Sequence, residues 1–131
     1  MRTYTGVAAA LSVGFGLVNS APCSGGSPLL YVATYPKDDA AGKVTTLQLG
    51  ASSLKSLSTS DGCGPYPSWL TQAGDLLYCV DEAWGVTAGT LSSLKIGDDG
   101  ALTKLNSIPT LRGPVSTIIY GDGGRGLAVA N

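Results

Sequence analysis

Pro67-Ser68-Trp69-Leu70-Thr71-Gln72-Ala73-Gly74-Asp75-Leu76-Leu77-Tyr78-Cys79-Val80-Asp81-Glu82 is the stretch that decides how this chain folds. Leu76 to Val80 is continuously apolar, as a strand buried on both faces must be. Ala73-Gly74-Asp75 ahead of it is turn chemistry. Downstream, Thr90-Leu91-Ser92-Ser93-Leu94-Lys95-Ile96 puts Leu94 and Ile96 on one face, with a charged residue between them, the period of a half-buried strand. Gly97-Asp98-Asp99-Gly100 then reverses the chain. The pattern predicts four strands over 68–73, 76–81, 90–96 and 102–108. No window after residue 20 carries a convincing 3.6-residue period.

Outward from this unit the sequence repeats itself. Leu77-Tyr78 answers Leu30-Tyr31, 47 residues earlier. Gly89-Thr90-Leu91-Ser92-Ser93-Leu94 answers Gly42-Lys43-Val44-Thr45-Thr46-Leu47 at the same spacing, and Pro114 answers Pro67. Ala101-Leu102-Thr103-Lys104-Leu105 follows Ser53-Leu54-Lys55-Ser56-Leu57 at 48. A third copy opens at Leu127-Ala128-Val129, 50 residues after Leu77-Tyr78-Cys79; the surplus fits the Gly121-Asp122-Gly123-Gly124 turn. Four strands in a repeat of this length is the spacing of propeller blades. The expected fold is all-β: a partial β-propeller of about two four-stranded antiparallel blades and the start of a third. A small all-β domain without propeller architecture is the plainer reading of the same strands.

Composition narrows the function. The 131 residues hold 8 Lys and Arg against 9 Asp and Glu, for a net charge of −1. That balance excludes a nucleic-acid binder, which needs a basic stripe. There is no His, which removes the commonest base for Ser and Cys nucleophiles and the commonest metal ligand. No metal site and no cofactor is expected.

The N-terminus reads as an export signal. Arg2 precedes an apolar, small-residue run from Gly6 to Val18, too short for the roughly 20 residues that span a bilayer but suited to a signal-peptide core. Val18-Asn19-Ser20 supplies small or apolar residues for cleavage after Ser20, giving a signal peptide over 1–20 and a propeller segment over 21–131. A buried N-terminal strand or helix is the alternative. The mature chain is then expected to be secreted, to the extracellular space or cell wall, with no membrane partner. Disulfides are permitted there. Of Cys23, Cys63 and Cys79, the pairing preferred is Cys63–Cys79, with Cys23 spare, although Cys79 also suits a small buried hydrophobe.

The order Pro67-Ser68-Trp69-Leu70, Leu76 to Glu82, Gly89-Thr90-Leu91-Ser92, Gly100-Ala101-Leu102, Gly113-Pro114 and Leu127-Ala128-Val129-Ala130-Asn131 resembles the lactonase seven-bladed β-propeller family. That family includes 6-phosphogluconolactonase and the carboxymuconate lactonizing enzymes; the signal peptide points to its secreted fungal branch. The resemblance implies a parent of about 300 residues or more, of which this chain is an N-terminal fragment. It also implies that 29–33 and 127–130 are open apolar edges, through which the fragment self-associates.

The resemblance makes Glu82 the candidate acid or base, at the end of the second strand of its blade and toward the central channel. A solvated strand-end carboxylate is the plain alternative. Asp81 should point to the opposite face and form no dyad with it. Arg112, in the loop before an inner strand, is the candidate contact for an anionic carboxylate or phosphate. Many relatives carry His two residues after the Pro of this loop; here those positions hold Trp69 and Ser116. The isolated chain is therefore expected to be inactive.

Gly121-Asp122-Gly123-Gly124-Arg125-Gly126 spells a dinucleotide fingerprint but leads into a strand instead of a helix, so a hairpin turn is expected. Asp98-Asp99-Gly100 lacks the remaining ligands of a Ca²⁺ loop and reads as a turn. Tyr66, Trp69 and Trp84 read as core or loop packing, with sugar stacking as the alternative. Two parents fit: a secreted lactone hydrolase or cycloisomerase acting on a small lactone or organic acid, or a non-catalytic propeller that binds a glycan or protein. A third reading makes the short chain itself the product, with no defined activity.

Overall fold

In the computed structural model, which describes residues 20–21, 27–37, 40–84 and 88–131, the alternation becomes two four-stranded antiparallel sheets and a hairpin. The first sheet is β1 (Ser20–Ala21), β2 (Leu29–Thr34), β3 (Lys43–Leu49) and β4 (Leu54–Ser60), in that order. The second is β5 (Pro67–Ala73), β6 (Leu76–Asp81), β7 (Thr90–Ile96) and β8 (Leu102–Pro109). The third copy contributes β9 (Ser116–Tyr120) and β10 (Gly126–Ala130). The predicted strands of the central unit agree with these to within one residue at each end.

The repeat extends into the details of the backbone. The β3–β4 register slips between Thr46 and Leu47, and the β7–β8 register slips between Ser93 and Leu94, 47 residues on. Each hairpin also closes through a glycine N–H, Gly50 to Ser53 O and Gly97 to Ala101 O, both at 2.8 Å, with the second turn one residue longer.

The core lies between the first two sheets. Leu29, Tyr31, Ala33 and Val44 meet Leu70, Leu77, Cys79, Leu94 and Cys63, all 5% exposed or less. Each large aliphatic among them is worth about 1.5–3 kcal/mol of burial. Cys63 and Cys79 form the expected disulfide, with Cα atoms 5.7 Å apart. It fastens the connector between the two sheets to β6. At the outer side, the Thr46 hydroxyl donates to Gly100 O at 2.8 Å. Gly100 has φ +79°, and a Cβ there would lie 3.0 Å from Thr46 Cγ2, so the β7–β8 turn fits against the first sheet only without a side chain.

The hairpin packs on the second sheet through hydroxyls. Ser68 Oγ donates to Pro114 O at 2.9 Å, and the Thr71 and Thr117 hydroxyls lie 2.6 Å apart. The other face of the hairpin is open, with Ile118 at 65% and Tyr120 at 59% exposure.

The edge over 29–33 is not wholly unpaired: Ser20 pairs with Leu30 and Ala21 with Leu29. Because β1 runs antiparallel to β2, these two residues occupy the innermost position of the first blade. Of the export signal expected over 1–20, residues 1–19 lie outside the described residues, as does Cys23, while Ser20 lies in β1. Trp84 is 67% exposed and does not pack, because it stands on the turn beyond the end of β6, past the layer where the sheets meet. The Gly121–Gly126 motif is the β9–β10 turn, with Gly121, Gly123 and Gly124 at positive φ. Among the described residues no helix is long and apolar enough to cross a membrane.

Candidate functional site

In a meander every second strand ends where the innermost strand begins. Pro67 pairs with Asp81, Asp81 with Thr90, and Thr90 with Pro109, so one end of the second sheet gathers the connector before β5, the β6–β7 loop and the segment after β8. In the first sheet Thr34 pairs with Lys43 at the corresponding end. Tyr35 follows β2 and Glu82 follows β6, at one repeat position 47 residues apart. The two meet across the interface: Tyr35 Oη–H donates to Glu82 Oε2 at 2.5 Å.

This contact is charge-assisted, and such bonds are the short and strong ones. Burial, the hydrogen bond to Glu82 and the charge of that carboxylate together push the Tyr35 phenol up to about 12. The phenol therefore stays protonated and donating at neutral pH. Close backbone packing brings the pair together. Gly42 N–H donates to Pro65 O at 2.8 Å, and a Cβ on Gly42 would lie 2.7 Å from Pro67 Cδ. Gly89 repeats this against Pro114, at 2.3 Å.

Asp81 turns inward, as the alternation of a strand requires. It is 5% exposed, and its Oδ1 accepts from Tyr66 N–H at 3.1 Å and Ala83 N–H at 2.9 Å. Arg112 is exposed on the loop before β9, which is tied down where Gly89 N–H donates to Leu111 O at 3.3 Å. Arg112 and Glu82 thus belong to the same end of the sheets, but no hydrogen bond or ion pair joins them among the described residues. Ser116 opens β9 and Trp69 lies in β5, its Nε1–H donating to Thr71 Oγ1 at 3.2 Å. No group of three or more Cys, Asp and Glu among the described residues could hold a metal ion.

Tyr35 is the side chain of the candidate site that sequence reasoning missed. Its signal was the repeat itself, because residues one period apart occupy equivalent places on adjacent blades.

Four-stranded antiparallel meanders stacked face to face, with a 47-residue period and side chains of equivalent position touching at one end, define a β-propeller. The chain belongs to the lactonase family of such propellers: the family model described as "Lactonase, 7-bladed beta-propeller" matches residues 29–131. A protein named "Probable 6-phosphogluconolactonase" from Arthroderma benhamiae is 48% identical over 52 residues, which are 38% of this chain and 13% of that protein. The matched stretch therefore spans only a small part of that relative's length. No solved structure matches the chain.

Proposed function

We propose that this chain forms the first blades of a secreted propeller that hydrolyses a sugar lactone, with Glu82 as its acid–base group and Tyr35 as the donor that holds it. The observation behind this reading is the Tyr35–Glu82 hydrogen bond at the end where the innermost strands begin. Opening a lactone requires a proton taken from water as it attacks the carbonyl and a proton given to the departing ring oxygen. A carboxylate fixed by a phenol that stays protonated suits the first step. Arg112, exposed at the same end, would meet the anionic group of a phosphorylated or carboxylated substrate. In a carboxymuconate cycloisomerase the group would act instead as the acid, giving a proton to carbon while a carboxylate oxygen of the substrate closes onto the other carbon of the double bond. The isolated chain, with one carboxylate and no imidazole, is expected to be inactive.

Secretion is supported by the Cys63–Cys79 disulfide, since such bonds persist in oxidising compartments. The open hairpin face with Ile118 and Tyr120 supports self-association of the chain when it is produced alone. The reading that competes is a propeller that binds a glycan or protein, favoured by the exposure of Trp84 two residues from Glu82. Lactone hydrolysis by the native secreted protein, measured for the wild type and Glu82→Gln, separates the two. The enzyme reading expects a loss of about 10²–10⁴ in kcat; an unchanged rate removes Glu82 from the mechanism.

A further inference from the structure

Asp81 takes no part in the acid–base pair, yet it is the most enclosed carboxylate near the site, and everything around it is shaped to receive it. Its Oδ1 accepts two backbone N–H groups, from Tyr66 on the connector and from Ala83 on the turn beyond Glu82. Between them, Glu82 N–H donates to Tyr66 O at 3.0 Å. The Glu82 backbone is thus clasped on both sides by bonds that lead back to one side chain. Ala83 has φ +49°, a left-handed conformation that a residue with a Cβ rarely adopts without support. The bond from its N–H to Asp81 supplies that support.

The connector makes room for the carboxylate. Gly64 has φ +93°, and a Cβ there would lie 2.1 Å from Asp81 Oδ2. Cys63 beside it is bonded to Cys79, two residues before Asp81. The connector is therefore tied to β6 twice, once covalently and once through Asp81.

We infer that Asp81 is the positioning residue for Glu82: as an acceptor for two backbone N–H groups it fixes the turn that aims the Glu82 carboxylate at the Tyr35 phenol. The inference rests on where Glu82 sits and not on what reaction it serves. Lactone hydrolysis by Glu82→Gln tests the reaction, and the spectroscopic experiment below tests the positioning, so each can fail alone.

The test follows the Tyr35 ¹³Cζ resonance with pH in the 131-residue chain, labelled at tyrosine and assigned by comparison with Tyr35→Phe. The expected wild-type midpoint is about 12. Asp81→Ala should lower it by about one unit toward the ordinary value, because the phenol loses a fixed carboxylate partner. Asp81→Asn should stay near the wild type, since its amide oxygen still accepts both N–H groups. A wild-type midpoint in Asp81→Ala overturns the inference. So does an equal fall in both variants, which would mean that the charge acts and not the acceptor. If Asp81→Ala does not fold, hydrogen exchange of the wild type decides. The amides of Tyr66, Glu82 and Ala83 should be protected and open together; exchange of Tyr66 and Ala83 at the rate of free loop amides overturns the inference.

Discussion

The two interfaces in this chain are built on the same repeat and held by different chemistry. Between the first and second sheets, Leu29, Tyr31, Leu70, Leu77 and Leu94 are 1% exposed or less, and a disulfide sits within that core. Between the second sheet and the β9–β10 hairpin, the recorded side-chain bonds run through the hydroxyls of Ser68, Thr71 and Thr117. The strands that meet differ as well: β2 lies against β5 and β4 against β8 in the first, whereas β9 lies against β5 and β6 in the second. The inward positions also carry different residues: Leu, Tyr and Val on β2 and β3, and Thr117 and Ile119 on β9. The period sets where blades meet, and the side chains set how firmly.

Truncating the dry interface should produce the largest effect. Leu77→Ala or Leu94→Ala is expected to cost about 2–5 kcal/mol in urea unfolding, since both side chains are fully buried. Loss under 1 kcal/mol would mean that the first two sheets are not packed as described. Replacing Cys63 and Cys79 together by Ala should cost about 3 kcal/mol for a loop of 16 residues. On the hydroxyl side, Thr117→Val should cost about 1 kcal/mol, the net worth of a buried hydrogen bond. An effect as large as that of Leu77→Ala would erase the contrast between the interfaces.

Alkaline pH probes the Tyr35–Glu82 contact between the first two sheets. Tyr35 has a folded pKa of about 12, above its ordinary 10.0. The stability it confers is therefore fully present below pH 10 and is lost as pH rises through about 12. The unfolding midpoint of the wild type should fall over that window relative to Tyr35→Phe. Parallel curves would show that Tyr35 is not bonded to Glu82 in solution. The smallest effect belongs to Lys95–Asp75, an exposed pair whose Lys lowers the Asp75 pKa. Lys95→Ala should leave stability unchanged in physiological salt, because solvent and ions screen such pairs.

How much of this was legible beforehand follows the range of the interactions. The strands of the central unit could be read because an apolar run and a period-2 pattern are local. The stacking of blades was legible because the repeats Leu30-Tyr31 and Leu77-Tyr78 place the same strand in successive units. The disulfide was preferred from a turn Cys and a strand Cys at a short separation. Glu82 was singled out as a candidate through the family pattern, but its bond to Tyr35 joins side chains that no local pattern connects. The left-handed Ala83 was also illegible, because alanine shows no preference for that conformation and the Asp81 bond that supports it is a feature of the folded turn. Ser20–Ala21 escaped notice for a similar reason: two residues are too few to show a period.

The matching register slips at Thr46/Leu47 and Ser93/Leu94 have a consequence for exchange of parts. The residues at the slip are not all the same, Thr-Leu in one and Ser-Leu in the other, yet the ladder breaks at the same place. A bulge fixes the local bend and twist of the strands that carry it. The outer hairpins 43–60 and 90–109 are therefore cut to a common template, and either could be transplanted into the other's place without re-registering its neighbours. Individuality is left to the inward side chains and to the loops at the end where Tyr35 and Glu82 meet, so those loops can change while the scaffold beneath them keeps its form.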